Sequence, residues 1–321
     1  MELRRFRLRL DVLSPFATPP GSGTLFGHLC WAKRAREGRE ALRAWLRRLP
    51  EEPVAISDLL PADHLPRPLL APPPLGGEAR QPEDAKQIKK RRYLPLSAWR
   101  RLRAAADGRT LEGLLREAKG DPPFLAPRRL AHNRIDRASG KTPEAGGGGL
   151  WFAEEFWPTP RHRGARHIEA DLYVRSALPA RAVEDLLAHV AETGFGADAG
   201  LGRGRFHLDG SEPAGWLDDA PRGAGEARML SLSQGVVTEN MRAARWRRFV
   251  LFGKLGREMV AEGRRPWKLP LVLAEAGATF APDGPGPFGA WVTGLHQDDD
   301  PSDPVGHNAW HLAIPYTEAR A

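Results

Sequence analysis

The sequence predicts an α+β protein of two ferredoxin-like (RRM-like) units, the first with a long insertion and a glycine-rich loop before its last strand. Three observations carry this expectation. Residues 1–210 can be read as strand, helix, strand, strand, helix, strand, which is the order of a ferredoxin-like unit and of RNA-recognition modules. Beyond a linker-like stretch at 211–225, short strand-like runs recur at 229–232, 246–252, 269–273, 291–292 and 310–314, the simplest source of which is a second, degenerate unit. Glycine (34) and proline (30) make up about a fifth of 321 residues, which favours long ordered loops over a plain helical bundle. The expected boundaries are 1–210, with the insertion at about 50–145, and 211–321.

Each element has its own signal. Residues 3–10 alternate apolar and basic side chains, the pattern of a half-buried strand. Ser22 or Thr24 can cap a helix that carries Leu25, Phe26, Leu29 and Trp31 and runs to about Arg36. A second helix, 39–49, follows Gly38, and proline-rich irregular chain follows to 82. A helix is expected at 97–106. The glycine run 146–149 opens the second strand at 150–152, and 168–174 is a cleaner alternating strand. Pro179 starts a helix with Val183, Leu186, Leu187 and Val190 on one face. The loop 194–204 then leads into a last strand at 205–208.

Composition excludes several classes. No apolar run approaches the length of a transmembrane helix, and Met1-Glu2-Leu3-Arg4-Arg5-Phe6 lacks a signal-peptide apolar region, so the expectation is a cytoplasmic protein. One cysteine, Cys30, supports neither an internal disulfide nor a thiolate metal site. The net charge is +8, unevenly spread: 271–321 hold seven acids and one base, net −6, which leaves +14 on 1–270. A basic body with an acidic tail suggests a polyanionic partner and a second, basic protein partner. Two basic runs stand out. Residues 86–92 hold five cations, Lys89 and Lys90 among them, and 241–265 hold Arg245, Arg248 and Lys254 with Trp246 and Phe249 interleaved. Cations for phosphates and aromatic faces for bases are what single-stranded nucleic-acid binders combine.

The loop 194–206 superficially resembles a phosphate fingerprint, but a helix precedes it and a strand follows, and it lacks Gly-Lys-Ser/Thr. Nucleotide hydrolysis is not expected. Its backbone N–H groups at Gly200 and Gly202, with Arg203 and Arg205, can still meet a phosphate. His28 and His132 are candidates for a general base in metal-independent RNA cleavage, against packing for His28 and hydrogen bonding to RNA for His132. Asp136 is a candidate acid or a salt-bridge partner of Arg134 and Arg137. His296, Asp298–Asp300, His307 and His311 do not make a convincing metal site, because Pro304 and Gly306 argue against a helix through His307 and His311. No cofactor is expected.

Five segments, in order along most of the chain, resemble the RAMP proteins of CRISPR–Cas systems, and among them the subunit that caps the crRNA 5′ handle in type III-A (Csm) effector complexes. They are residues 24–32; 56–61 with 65–68 and 89–95; 133–140 with 149–151; the glycine loop; and 252–256 with 266–270 and 307–310. His28 departs from the small residue more usual there, and the hairpin glycine run is long. The resemblance implies a non-catalytic RNA-binding subunit that grips the 5′ handle and docks the large polymerase/cyclase-like subunit and the first backbone subunit. It implies handle contacts from Ser22, Thr24, His132, Asn133, Arg134, Arg137, Gly200, Gly202, Arg203 and Arg205. The alternative is a crRNA-processing endoribonuclease using His28 or His132.

Overall fold

A computed structural model describes residues 3–72, 82–142, 149–159, 167–299 and 304–320. The Arg4–Val12 strand forms as the alternation requires: Phe6, Leu8, Leu10 and Val12 are buried on one side and Arg5, Arg7 and Arg9 face the other. It pairs antiparallel with Ile168–Ser176 and with Phe206–Pro213. Two short strands, Ala55–Ile56 and Leu60–Pro61, pair with the far edge of Ile168–Ser176. Counted along the chain the order across the sheet is 2-3-1-4, that of a ferredoxin-like unit. The helices Ser22–Glu37 and Ala180–Thr193 cover one face, burying Leu25, Phe26, Leu29, Val183, Leu186 and Val190 against the strands.

The second strand therefore lies at 55–61, not at 150–152. Prolines at 53, 61 and 66 break this stretch into fragments too short for any periodicity to show. The first helix also starts differently. Gly21 is its N-cap and no side chain of its own caps it. Asp58 does so across the fold, its Oδ1 accepting the Ser22 N–H at 2.8 Å and the Gln234 N–H at 3.2 Å. Burial pushes the Asp58 carboxyl up to about 6 despite these bonds.

The C-terminal half forms a four-stranded antiparallel sheet of Met241–Arg245, Thr279–Pro282, Glu226–Ser231 and Ala313–Glu318. Its strand order repeats the 2-3-1-4 of the first sheet, but the paired helices have no counterpart: among the described residues this half has one five-residue α-helix, Arg257–Ala261. The helices that cover it come from the insertion. Leu96–Leu102 and Gly108–Glu117 bury Trp99, Leu102, Leu111, Leu114 and Leu115 against Leu230, Leu312, Ile314 and Tyr316, with Trp99 edge-on to Tyr316 at 5.9 Å. The 211–225 stretch is packed rather than a free linker, with Ala214 and Leu217 fully buried.

Candidate nucleic-acid interface

The open face of the first sheet, which RNA-recognition modules use for stacking, is occupied by ion pairs. Arg7 meets Asp63 at 2.7 Å and Glu212 at 2.7 Å; Arg9 meets the fully buried Asp171 at 2.8 Å and Glu169 at 3.1 Å; Arg5 and Arg175 share Asp218. Each arginine here already has a carboxylate partner, and among the described residues no exposed aromatic side chain joins them.

The cationic, aromatic surface is elsewhere. Leu125–Asn133 and Leu150–Pro158 pair antiparallel over their full length as a two-stranded arm outside the larger sheets. Pairing puts cations against rings. Arg129 lies over Phe152 at 4.9 Å, Arg128 over Trp157 at 5.2 Å, and His132 stacks on Trp151 at 5.6 Å with the planes 14° apart. Leu150, Trp151 and Phe152 are exposed. At the tip, Asn133, Arg134 and Arg137 are exposed, and the two arginines have no ion pair among the described residues. Asp136 is not their partner. Its Oδ1 accepts the N–H groups of Ala138 (2.9 Å) and Ser139 (2.8 Å), and these bonds with the Ser139 hydroxyl hold its carboxyl below the usual range.

The glycine loop is anchored rather than slack. Phe195 N–H donates to the Gly204 carbonyl (2.9 Å), Ala197 N–H to Thr18 Oγ1 (3.0 Å), and Gly196 N–H to His28 Nε2 (2.9 Å). His28 is half-buried, packed on Phe195 at 4.6 Å, and desolvation lowers its pKa to about 4. It is a neutral acceptor whose lone pair is already engaged, an arrangement that suits packing rather than proton abstraction. Phe16 joins loop and arm, pairing by backbone with Phe156 (3.0 and 2.8 Å) and packing on Phe195 at 5.4 Å. Arg203 completes the joint with an ion pair to Glu155 at 2.8 Å.

The structure thus brings His132, Asn133, Arg134, Arg137, Gly200, Gly202 and Arg203 onto one assembly of arm and loop. Gly200 and Gly202 are exposed. Others have different surroundings. Ser22 is buried, its hydroxyl bonded to the Gln234 backbone (3.2 Å), and Thr24 is half-buried beside it. Arg205 donates to the carbonyls of Ala191 (3.5 Å) and Glu192, closing the end of the Ala180–Thr193 helix. Arg245 is bound to Glu318 at 2.8 Å. Lys89 and Lys90 are exposed at the end of the Pro82–Lys90 helix, and the strand that follows packs Tyr93 edge-on to Phe124 near the arm's foot. Arg248 and Lys254 are exposed beside a second ribbon, Arg248–Leu251 with Leu271–Ala274, where Lys254 lies 4.4 Å over Trp267.

Arg128, Arg129, Phe152, Glu155 and Trp157 join the assembly without having been singled out from sequence. The signal was present in the aromatic pairs Trp151-Phe152 and Phe156-Trp157, but it needed 125–133 as the opposing strand. His307 and His311 lie on one strand, as the prolines and glycine suggested, and His311 is held by Ser231 (2.7 Å) and the Val236 carbonyl (3.1 Å). Among the described residues no three metal-binding side chains converge. Asp300 lies outside them.

Neither a family model nor a curated protein sequence matches the chain. Solved structures do. A chain of a Csm1–Csm4 cassette crystallised with pppApA superposes with a TM-score of 0.59 at 17% identity, covering 99% of this chain and 100% of its own. A chain of the Csm3–Csm4 subcomplex of the type III-A CRISPR–Cas interference complex gives 0.54 at 13%, covering 97% and 99%. The fold is that of Csm4. A third match, from a Csm1–Csm4 cassette with cA4, gives 0.58 at 18% over the same span, so the likeness to Csm4 takes in both sheets and the insertion.

Proposed function

We propose that this chain is the non-catalytic RNA-gripping subunit of a type III CRISPR effector ribonucleoprotein, acting in antiviral defence. In this reading its units at 1–210 and 211–321 together hold the crRNA 5′ handle and dock the large polymerase/cyclase-like subunit and the first backbone subunit. The observation that carries it is the meeting of the arm and the anchored glycine loop, where guanidinium groups lie on the exposed Phe152 ring and the half-buried Trp157 ring, and the tip arginines have no ion pair among the described residues. Such a surface stacks unpaired bases and neutralises phosphates, the mode by which proteins grip single strands. The full-length Csm4 fold supports the same reading, since its solved examples are assembled with Csm1 and with Csm3. No described helix is long and apolar enough to cross a membrane.

Arg134, Arg137, His132, Asn133 and Arg203 are the proposed handle contacts, with Gly200 and Gly202 offering backbone, Thr24, Lys89 and Lys90 at the margin, and Arg248 and Lys254 on the second ribbon. Arg205 supports the surface by closing the helix that leads into the glycine loop, whereas Ser22 and Arg245 are engaged with Gln234 and Glu318 away from it. The test is an ultraviolet crosslinking map of the subunit in a complex co-expressed with its genomic neighbours and a crRNA. Crosslinks confined to the 5′ handle and landing on 128–137, 150–157 or 200–203 are expected. Crosslinks spread along the RNA, or gathered at a cut end near His28, would overturn the reading.

A further inference from the structure

Arg203 is bound in a way that leaves its business end unused. Its Nε donates to Glu155 Oε1 at 2.8 Å, and its Nη atoms make no hydrogen bond among the described residues. Its guanidinium lies 5.7 Å from the centre of the Trp157 ring, and its side chain is 27% exposed. Glu155 is 1% exposed, and its Oε2 is buried with no hydrogen-bond partner among the described residues. In the arm's register Glu155 stands opposite Arg128, whose guanidinium lies over the same indole at 5.2 Å. Two cations and one carboxylate thus meet at one ring, with net charge +1.

We propose that Glu155 is a positioning residue that makes Arg203, with Arg128 across Trp157, a clasp for one phosphodiester group of the bound strand. The proposal rests on the RNA-binding reading and deepens it. Coulomb's law alone makes a carboxylate a poor neighbour for phosphate, so its presence calls for a compensating role. If Arg203 swung away, Glu155 would be left buried and unpaired, which is strongly disfavoured. Arg203 therefore stays at the arm's foot, with Nε engaged and Trp157 fixing its plane. Its Nη pair is then free to take two non-bridging oxygens, the planar two-point contact that arginine makes with phosphate and lysine cannot.

The test is filter binding of labelled crRNA to the full chain across a salt series. Glu155→Ala adds a net positive charge yet is expected to weaken binding about tenfold, the scale of a lost charge-assisted contact, and to flatten the salt slope by about one phosphate. Glu155→Gln keeps an acceptor for Nε and is expected to restore near-wild-type affinity. Arg203→Lys keeps the charge without the fork and is expected to bind as weakly as Glu155→Ala. Equal or tighter binding by Glu155→Ala, or full affinity in Arg203→Lys, overturns the clasp. If Arg129→Ala and Arg134→Ala weaken binding while Arg203→Ala does not, the clasp fails and the RNA reading stands. If none of the three matters, the RNA reading fails with it.

Discussion

His28 and Gly204 show what single residues do for the glycine loop. His28 Nε2 receives the Gly196 N–H at a half-buried position, so His28→Ala takes away that donor's protein partner and is expected to cost about 0.5–1.5 kcal/mol in chemical denaturation. Because that nitrogen is already engaged, crRNA from a complex carrying the variant is expected to run at unchanged length on a denaturing gel; a longer RNA would restore the nuclease reading. Gly204 (φ 69°) and Gly202 (φ 84°) both need the left-handed region, but their surroundings differ. A Cβ on Gly204 would collide with the Phe195 backbone, whereas one on Gly202 meets nothing within 4 Å. Gly202→Ala is therefore expected to cost about 1–2 kcal/mol for the backbone conformation alone, and Gly204→Ala clearly more; equal midpoints for the two would contradict the packing described. The glycines were conspicuous in the sequence, and so was Arg203. That His28 anchors the loop was not legible, because its partner lies 168 residues away and a helix histidine among Phe26, Leu29 and Trp31 reads as core whether or not its ring is bonded.

The arm is the element on which the functional reading turns. A two-stranded ribbon has little stability of its own, and this one is tied at its foot by Phe16 and by the Arg203–Glu155 pair. Trp151→Ala removes an exposed ring, so it is expected to leave the melting temperature within about 1–2 °C while costing about 1–3 kcal/mol of RNA affinity, as lost base stacking does; titration with labelled crRNA, with a thermal melt alongside, checks both. An unchanged affinity would take the ring out of the interface. Elements with clean periodicity were legible: Arg4–Val12, Ser22–Glu37, Ile168–Ser176 and Ala180–Thr193 lie close to where their patterns put them. Leu125–Asn133 was hidden because Pro127 and the Arg128-Arg129 pair interrupt its alternation. The helix Gly108–Glu117 was hidden because Asp107-Gly108 reads as a turn, although Asp107 caps it, accepting from the N–H groups of Arg109 (2.8 Å) and Thr110 (2.9 Å).

Across the whole molecule, charge is settled internally to an extent that composition conceals. Two acids of the tail face arginines of the body: Glu318 meets Arg228 and Arg245, each at 2.8 Å, and Asp283 meets Arg242. Part of the asymmetry between a basic body and an acidic tail is thus the two sides of one fold rather than two surfaces for two partners. Buried titratable groups set the acid limit. Burial lowers His28 and His311 to about 4 and His307 to about 3, and raises Asp58 to about 6. A depressed histidine contributes stability that is full above its unfolded pKa near 6.5 and is lost as pH falls toward the folded value. Asp58 opposes this, because it takes up its proton more readily when folded. Between about pH 6 and 4 these four groups leave the unfolded chain two protons ahead, a loss of about 3 kcal/mol per pH unit. Denaturation midpoints that do not fall between pH 6.5 and 5 would contradict it. The strands His307–His311 and Ala313–Glu318 bear on how the protein comes into being. Trp310 completes the first hydrophobic core, Leu312, Ile314 and Tyr316 complete the second, and Asn308 Nδ2 donates to the Val54 carbonyl at 2.8 Å. A ribosome translating this message makes these residues after nearly everything they pack against, so both cores wait on the same closing segment. Until then Trp310 is missing from one core and Leu312, Ile314 and Tyr316 from the other, whereas the ties at the arm's foot, Phe16 to Phe156 and Arg203 to Glu155, lie wholly in chain already made.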